Sequence, residues 1–439
     1  MRLGGRLAAA IEVLETLESQ RRPVAQVLKD WGHAHRFAGS GDRSAIANLV
    51  YDALRHRRSL AAQTDDDSAR VAIWAAFCLV PGYGDGTLPD LSDDKFAPQP
   101  LTDDEAAAFR QARREAAPAE AANCPDWLWP SMERVFGSDV VREVGASASR
   151  APLDLRLNPF RSPPVRVDKA LSKFKPQGSD AFPHLRRIAA PKGFERAPHI
   201  ASGEAFQKGW IEVQDAGSQL AAELAIGGIK PRTVLDFCAG AGGKTLALSV
   251  FMGGKGQVFA HDADERRMAD LWPRVKRSGA HNIQVIAPEA IGTHEQAEQG
   301  FDLVVVDAPC SGTGTWRRHP DTKWRLSPSA LERRLTEQRD ILLQAARFVK
   351  PGGRLAYITC SLLAEENEDQ LASFLKASSD FSPLASDAVL AALDREAVPA
   401  VLPSIAMETH PAGSLGLRLT PATSGTDGFF IACLTKGSP

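Results

Sequence analysis

The sequence predicts an α/β protein. Its C-terminal half reads as a mostly parallel, doubly wound sheet, preceded by a small α+β module and a helical N-terminal part. Three observations carry this expectation. From Gly209 onward, short apolar runs alternate with helical stretches, the rhythm of strand–helix–strand units. Before that, Leu153-Asp154-Leu155-Arg156-Leu157 alternates like a strand and ends at Asn158-Pro159. Earlier still, Ile46, Leu49, Val50 and Leu54 recur at helical spacing.

The chain has 439 residues, enough for two or three domains. Expected divisions are 1–135 (helical), 136–208 (small α+β) and 209–437 (the large sheet). A hydrophobic fraction of 44% supplies real cores, and the formal net charge of -2 excludes no partner globally. Local charge says more. Between Arg142 and Lys208, basic residues such as Arg150, Arg161, Arg166, Lys169, Arg186 and Arg187 outnumber the acids, which suits a polyanionic partner. The six cysteines form no C-x-x-C pair, so neither a zinc site nor a disulfide framework is expected. Glu12 and Glu15 interrupt the first apolar run, and no window reaches membrane-span length. These features read as a cytoplasmic, metal-free protein without a membrane anchor, and nothing demands more than a monomer.

In the helical part, Asp42 is placed to cap the Ile46 helix, whose end is the basic Arg55-His56-Arg57-Arg58. Cations there complement the helix dipole and could also touch phosphate. A further helix is expected from Asp103 to Glu115, and one over Val167–Phe174. In the large sheet, strands are expected at Thr233–Phe237, Gln257–His261, Ile283–Ile286, Asp302–Val306, Arg354–Thr359 and around Phe429–Leu434. Between the fourth and fifth runs a helix, with Ser329 and Glu332 as a capping box, carries Leu331, Leu335 and Leu342 on one face.

Chemistry gathers outside the carboxyl ends of strands in such a sheet. Three segments fall there. The first, Asp236-Phe237-Cys238-Ala239-Gly240-Ala241-Gly242-Gly243-Lys244-Thr245, joins a strand to a helix. A P-loop would need glycine at Cys238, and a dinucleotide loop would need glycine at Thr245. An S-adenosyl-L-methionine site, with an acid at the strand end and a small-residue loop beneath the ligand, fits Asp236 and Gly240. Asp262, ending the next strand, suits a ribose. The other two segments are Pro309-Cys310-Ser311-Gly312 and Thr359-Cys360-Ser361, each a thiol in a polar turn after a strand. Thiolate addition to cytosine C6 makes C5 nucleophilic, and a second thiol can assist the later steps. Asp307, at the end of the strand before Cys310, could read a cytosine amino group or contact the cofactor. Thr315 to Arg325 interleaves Trp316 and Trp324 with Arg317, Arg318, His319 and Lys323, a composition suited to phosphate contact and base stacking.

At these residues the chain resembles the RNA (cytosine-5) methyltransferases, most closely their ribosomal-RNA branch called RsmB, Sun or Fmu. The resemblance rests on Val213-Gln214-Asp215-Ala216-Gly217-Ser218-Gln219, the loop Cys238 to Thr245, and Asp307-Ala308-Pro309-Cys310-Ser311-Gly312-Thr313-Gly314. It continues through Arg318-His319-Pro320-Asp321, Lys323-Trp324, Thr359-Cys360-Ser361, Glu365-Glu366-Asn367 and Gly425-Thr426-Asp427-Gly428-Phe429-Phe430. It implies a NusB-like RNA-binding helical domain, a ferredoxin- or RRM-like module and a Rossmann-like class I methyltransferase sheet. It implies Cys360 as nucleophile and Cys310 as the group assisting product release. Cys238, Ala239, Gly240, Ala241, Gly242, Gly243, Lys244, Asp262 and Asp307 would hold or adjoin S-adenosyl-L-methionine, with Arg318, His319 and Lys323 toward substrate. The implied activity is methylation of cytosine C5 in RNA, with 16S ribosomal RNA as the expected substrate, through a covalent adduct. Two departures stand out: Gly240-Ala241 replaces the family's Ala-Pro, and only Glu289 offers an acid after the third strand. They keep open a second reading, an RNA-binding assembly factor with a degenerate catalytic domain.

Overall fold

Helix α1 (Leu3–Gln20) turns Leu7, Ala10, Val13, Leu14 and Leu17 inward, the i, i+3, i+4 stripe of an amphipathic helix. It packs with α2 (Val24–Ala34), α3 (Ser40–Arg55), α4 (Arg57–Thr64) and α5 (Ala69–Leu79) around one apolar core. The computed structural model describes residues 1–109, 115–178, 182–391 and 415–438. The chain forms two compact units. The first, helical, comprises Met1–Ala151, Ala190–Pro198 and Thr315–Leu326; the second comprises Pro152–Ala189, His199–Gly314 and Ser327–Pro439.

Local signals in the helical unit resolve differently from the sequence reading in two places. Asp42 lies within the first turn of α3, and Gly39 is the N-cap. The Asp42 carboxylate instead accepts from the Met1 amino group and from Arg6, at 3.0 and 2.8 Å. The basic end of α3 is largely paired: Arg55 with Asp52, Arg57 with Glu18, Arg58 with Asp126. The helix expected from Asp103 to Glu115 spans Asp103–Ala108, started by a Thr102–Glu105 capping box; residues 110–114 of that expectation lie outside the described residues.

The second unit holds two sheets. Strands β1 (Leu153–Leu157), β2 (Gln177–Gly178), β3 (Leu185–Ile188) and β4 (Ile211–Val213) form an antiparallel sheet in the order β2-β3-β1-β4. A helix, Pro164–Leu171, follows β1, and a short one, Glu204–Gln207, precedes β4. That β-α-β-β-α-β order is the ferredoxin-like arrangement. β4 lies beyond residue 208, so the small sheet closes only within the region read as the start of the large one.

The large sheet comprises β5 (Thr233–Asp236), β6 (Gln257–Ala260), β7 (Ile283–Val285), β8 (Phe301–Asp307), β9 (Val349–Thr359), β10 (Phe381–Pro383), β11 (Leu417–Leu419) and β12 (Phe429–Lys436). Its order is β10-β12-β9-β8-β5-β6-β7, with β11 on β12. Strands β5 to β9 run parallel and β12 antiparallel to β9. Order reverses between β5 and β8, the switch point where such sheets bind ligands. Apolar clusters lie on each face: Leu220, Ala225 and Leu248 pack on one, Leu342, Leu371 and Phe374 on the other. The helix before β9, Pro328–Ala346, is capped by Ser327, which accepts from Ala330 N at 3.2 Å. Pro328 at its first position fixes the start there, two residues before the expected Ser329.

Candidate functional site: two thiols and a glycine loop

Parallel pairing of β8 with β9 brings Asp307 beside Ile358. Cys310 and Cys360, a few residues further along each strand's exit, meet with Sγ–Sγ 3.4 Å. Neither is disulfide-bonded. The Cys310 turn is held from below. Glu366 Oε1 accepts from Ser311 N at 2.8 Å and Gln338 Nε2 at 3.0 Å, and Oε2 accepts from Ser311 Oγ at 2.5 Å. Gln338 also donates to Pro309 O at 2.9 Å. The Cys360 turn is tied to the same frame. Gly314 N donates to Cys360 O at 2.9 Å, and Asn367 Nδ2 to Ser361 O at 2.9 Å. Thr313 Oγ1 lies 3.1 Å from Ser361 Oγ. Gly314 and Gly428 cross so closely that a Cβ on Gly314 would stand 2.2 Å from Gly428 O.

The Cys310 thiol is pushed well above its ordinary range by its hydrogen bond with Cys360, then by burial and by the negative charges of Cys360 and Glu366. Cys238 is also pushed well up, by burial and the surrounding Asp236, Asp262 and Asp307. Burial raises Cys78 to about 11, Cys124 to about 12 and Cys433 to about 11, so these are inert as nucleophiles at neutral pH.

The glycine loop leaves β5 one strand away from β8 and two from β9, and adjacent strands stand about 4.8 Å apart. Gly242, at φ 81°, turns the chain into the helix Gly243–Phe251; a Cβ there would lie 2.1 Å from Leu271. Asp236 ends β5 fully buried. Its Oδ2 accepts from Thr245 Oγ1 at 2.7 Å while Oδ1 has no partner among the described residues. Burial raises its carboxyl to about 7. Asp262 Oδ2 accepts from Gly240 N at 3.0 Å, fixing the loop against the β6 end. Lys244 is 6% exposed and pairs with Asp307 at 2.7 Å, its ammonium also 5.1 Å from the Phe429 ring centre. An orphaned carboxylate oxygen, a ribose-type acid and a helix N-terminus without a side-chain cap fit a ligand bearing ammonium, hydroxyl and carboxylate groups. Glu289 stands exposed in the turn after β7.

Thus the thiols, the loop Cys238–Lys244, Asp262 and Asp307 share the strand ends of the second unit. Arg318, His319 and Lys323 belong to the helical unit. There His319 is exposed and Arg318 half-buried. Lys323 is 1% exposed, its ammonium 4.8 Å from the Trp316 ring centre and 5.4 Å from that of Trp324, and burial lowers it to about 7. So placed, it offers no surface to a substrate. Trp324 Nε1 donates to Leu54 O, and Arg55 Nε to Arg317 O, both at 2.9 Å, which builds this segment into the helices. Two supports, Glu366 and Gln338, had no assigned role from sequence. A buried glutamine inside an otherwise amphipathic helix is the signal that marks Gln338.

The family model described as 16S rRNA methyltransferase RsmB/F matches residues 229–435. Ribosomal RNA small subunit methyltransferase B of Photorhabdus laumondii is 32% identical over 312 residues, 71% of this chain and 66% of that protein. The protein of the same name from Citrobacter koseri is 32% identical over 339 residues, 74% of this chain and 71% of that protein. The chain thus spans about two thirds of the length of these curated relatives. The crystal structure of PH0851 shares the fold over 99% of both chains, with TM-score 0.70 at 23% identity. By sequence kinship and by fold, the chain belongs to the 16S rRNA methyltransferase RsmB/F family.

Proposed function

We propose that the protein is an S-adenosyl-L-methionine-dependent RNA cytosine-C5 methyltransferase, acting on 16S ribosomal RNA through a covalent Cys360–C6 adduct. The observation that carries this reading is the pair of thiols 3.4 Å apart at adjacent strand ends. Adenosylmethionine, when bound, supplies the methyl group. The residues that would hold it are Cys238 to Lys244, Asp236 and Asp262, with Asp307 alongside.

The chain's own residues do the rest. Cys360 attacks cytosine C6, forming an S–C bond and placing the ring's electron pair at C5. After C5 is methylated, its proton must leave and the S–C bond must break, returning the electron pair to Cys360. Cys310 suits that step. The largest cause of its raised pKa is the Cys360 partner, which disappears once Cys360 is a thioether. Cys310 can then give its own proton to solvent, and the thiolate so formed takes the C5 proton as the C5–C6 double bond returns and the S–C bond breaks. Glu366 and Gln338 fix the turn that carries it, and positional precision of this kind is worth orders of magnitude in rate. Lys244 holds the Asp307 carboxylate in place at the strand ends.

Cys360→Ala tests the reading. Expected is loss of methyl transfer to small-subunit ribosomal RNA, with adenosylmethionine affinity retained by calorimetry. Full residual activity would contradict the assigned nucleophile.

A further inference from the structure

We infer that the second unit carries an additional RNA-backbone contact, a cationic groove between the small sheet and the helix Leu271–Ser278. The inference rests on the proposed RNA substrate. The groove has a volume of about 670 Å3 and is lined by Arg161, Lys208, Trp210, Pro273, Lys276 and Arg277. Its walls come from three places in the chain: the turn after β1, the entry to β4, and the helix between β6 and β7.

Three features make it a nucleic-acid surface rather than a merely solvated face. The first is uncompensated charge. The single buried carboxylate of Glu212 is shared by Arg274 and Arg277, and Glu204 pairs with Lys208. Among the described residues, Arg161, Arg166 and Lys276 form no ion pair with a carboxylate, and all three are exposed. The second is the aromatic bed. Arg166 lies 4.4 Å above the Trp210 ring centre, Lys208 5.5 Å from it, and Arg277 4.2 Å above Phe206. The cations are held in place by ring faces, with donors left for phosphate. The third is Trp272, 58% exposed, one turn before Lys276 on the same helix face. An exposed indole beside ammonium groups is a base-stacking platform with its phosphate clamp.

The groove is distinct from the catalytic strand ends. Gly279 follows the helix, and the chain then enters β7 at Ile283, opposite Val258 near the start of β6. Lys276 and Arg277 therefore lie toward the amino ends of the parallel strands, whereas the thiols stand at the carboxyl ends. From the middle of the same helix, Arg274 donates to Ala241 O of the glycine loop at 2.6 Å. An RNA strand lying along this eight-residue helix, about 12 Å long, would run from the groove toward the cofactor loop.

The test compares the parent protein with Arg166→Ala/Lys276→Ala and the charge-retaining Arg166→Lys/Lys276→Arg, measuring affinity for protein-free small-subunit ribosomal RNA from 50 to 200 mM salt by filter binding. Thermal melting and adenosylmethionine calorimetry serve as fold controls. Each phosphate contact contributes about 0.7 to the slope of log K against log salt for single strands. The alanine pair should therefore lower the slope by about 1.4, and the charge-retaining pair should restore it. A parent-like slope in the folded alanine variant overturns the groove while leaving the enzyme reading intact. So does a slope the charge-retaining pair fails to restore. A parent protein that binds no ribosomal RNA overturns both.

Discussion

A carboxylate buried without a full set of partners prefers its proton, and Asp236 is such a group. Its folded pKa of about 7 exceeds that of an exposed aspartate near 3.8. Between those values the folded state binds a proton that the unfolded state has lost. Its contribution is therefore fully present below pH about 4, falls as pH rises toward 7, and levels off above it. Relative to Asp236→Asn, the parent should lose stability across pH 4–7, by a few kcal/mol on the order of magnitude that such a shift represents. Urea melts at successive pH values measure this, and a pH-independent difference would contradict it. Glu366→Ala removes three hydrogen bonds from the Cys310 side, two from Ser311 and one from Gln338. Buried donors left unsatisfied cost about 1–3 kcal/mol each. Slower product release and a longer-lived protein–RNA adduct are expected, read in a denaturing gel. Parent-like adduct lifetime would show that the turn holds without its carboxylate.

Whole elements were legible wherever periodicity was local. The strands β5, β6 and β8 lie within a residue or two of their apolar runs, because a strand buried on both faces needs a near-continuous apolar sequence; β7 follows its run as closely although it is a half-buried edge strand with Gln284 exposed. The thiols and the glycine loop were legible for a related reason: strand-end position follows from strand position. Less legible were features set by distant partners. Asp42 looked like a cap, yet its carboxylate is engaged by Met1 and Arg6. Lys323 looked like a phosphate contact, yet the rings of Trp316 and Trp324 enclose it. A basic and aromatic segment reads alike whether its faces meet RNA or a protein core. At this scale the crossing of Gly314 and Gly428 gives a sharp expectation. In Gly314→Ala the new Cβ meets backbone at 2.2 Å, which no rotamer change relieves. Destabilisation of about 1–3 kcal/mol is expected, together with impaired methylation, because the same turn carries Cys310. An unchanged melting temperature would contradict the close approach.

On the scale of the whole molecule, the sequence suggested the kinds of structure in order but not how the chain returns to them. The helical unit gathers Ala190–Pro198 and Thr315–Leu326 from far along the chain, and the small sheet waits for β4. Within the second unit, Asp154 joins the two sheets. It lies on β1, takes Arg187 at 2.7 and 2.8 Å, and accepts from Ala216 N at 3.0 Å at the start of the helix Ala216–Ile226. Its side chain is fully buried. Asp154→Ala removes two hydrogen bonds from Arg187 and the acceptor of the buried Ala216 N, and a buried donor left unsatisfied costs about 1–3 kcal/mol. A melting temperature lowered by several degrees is expected, and an unchanged one would show the sheets to be independent. The central claim, covalent catalysis on RNA by a pair of thiols, has a more direct test. Cys310→Ala protein is incubated with adenosylmethionine and small-subunit ribosomal RNA and run under denaturing conditions. Expected is a protein–RNA band that Cys310→Ala/Cys360→Ala lacks; a band that persists in the double variant, or no band from a Cys310→Ala protein that binds adenosylmethionine and RNA, would contradict the claim.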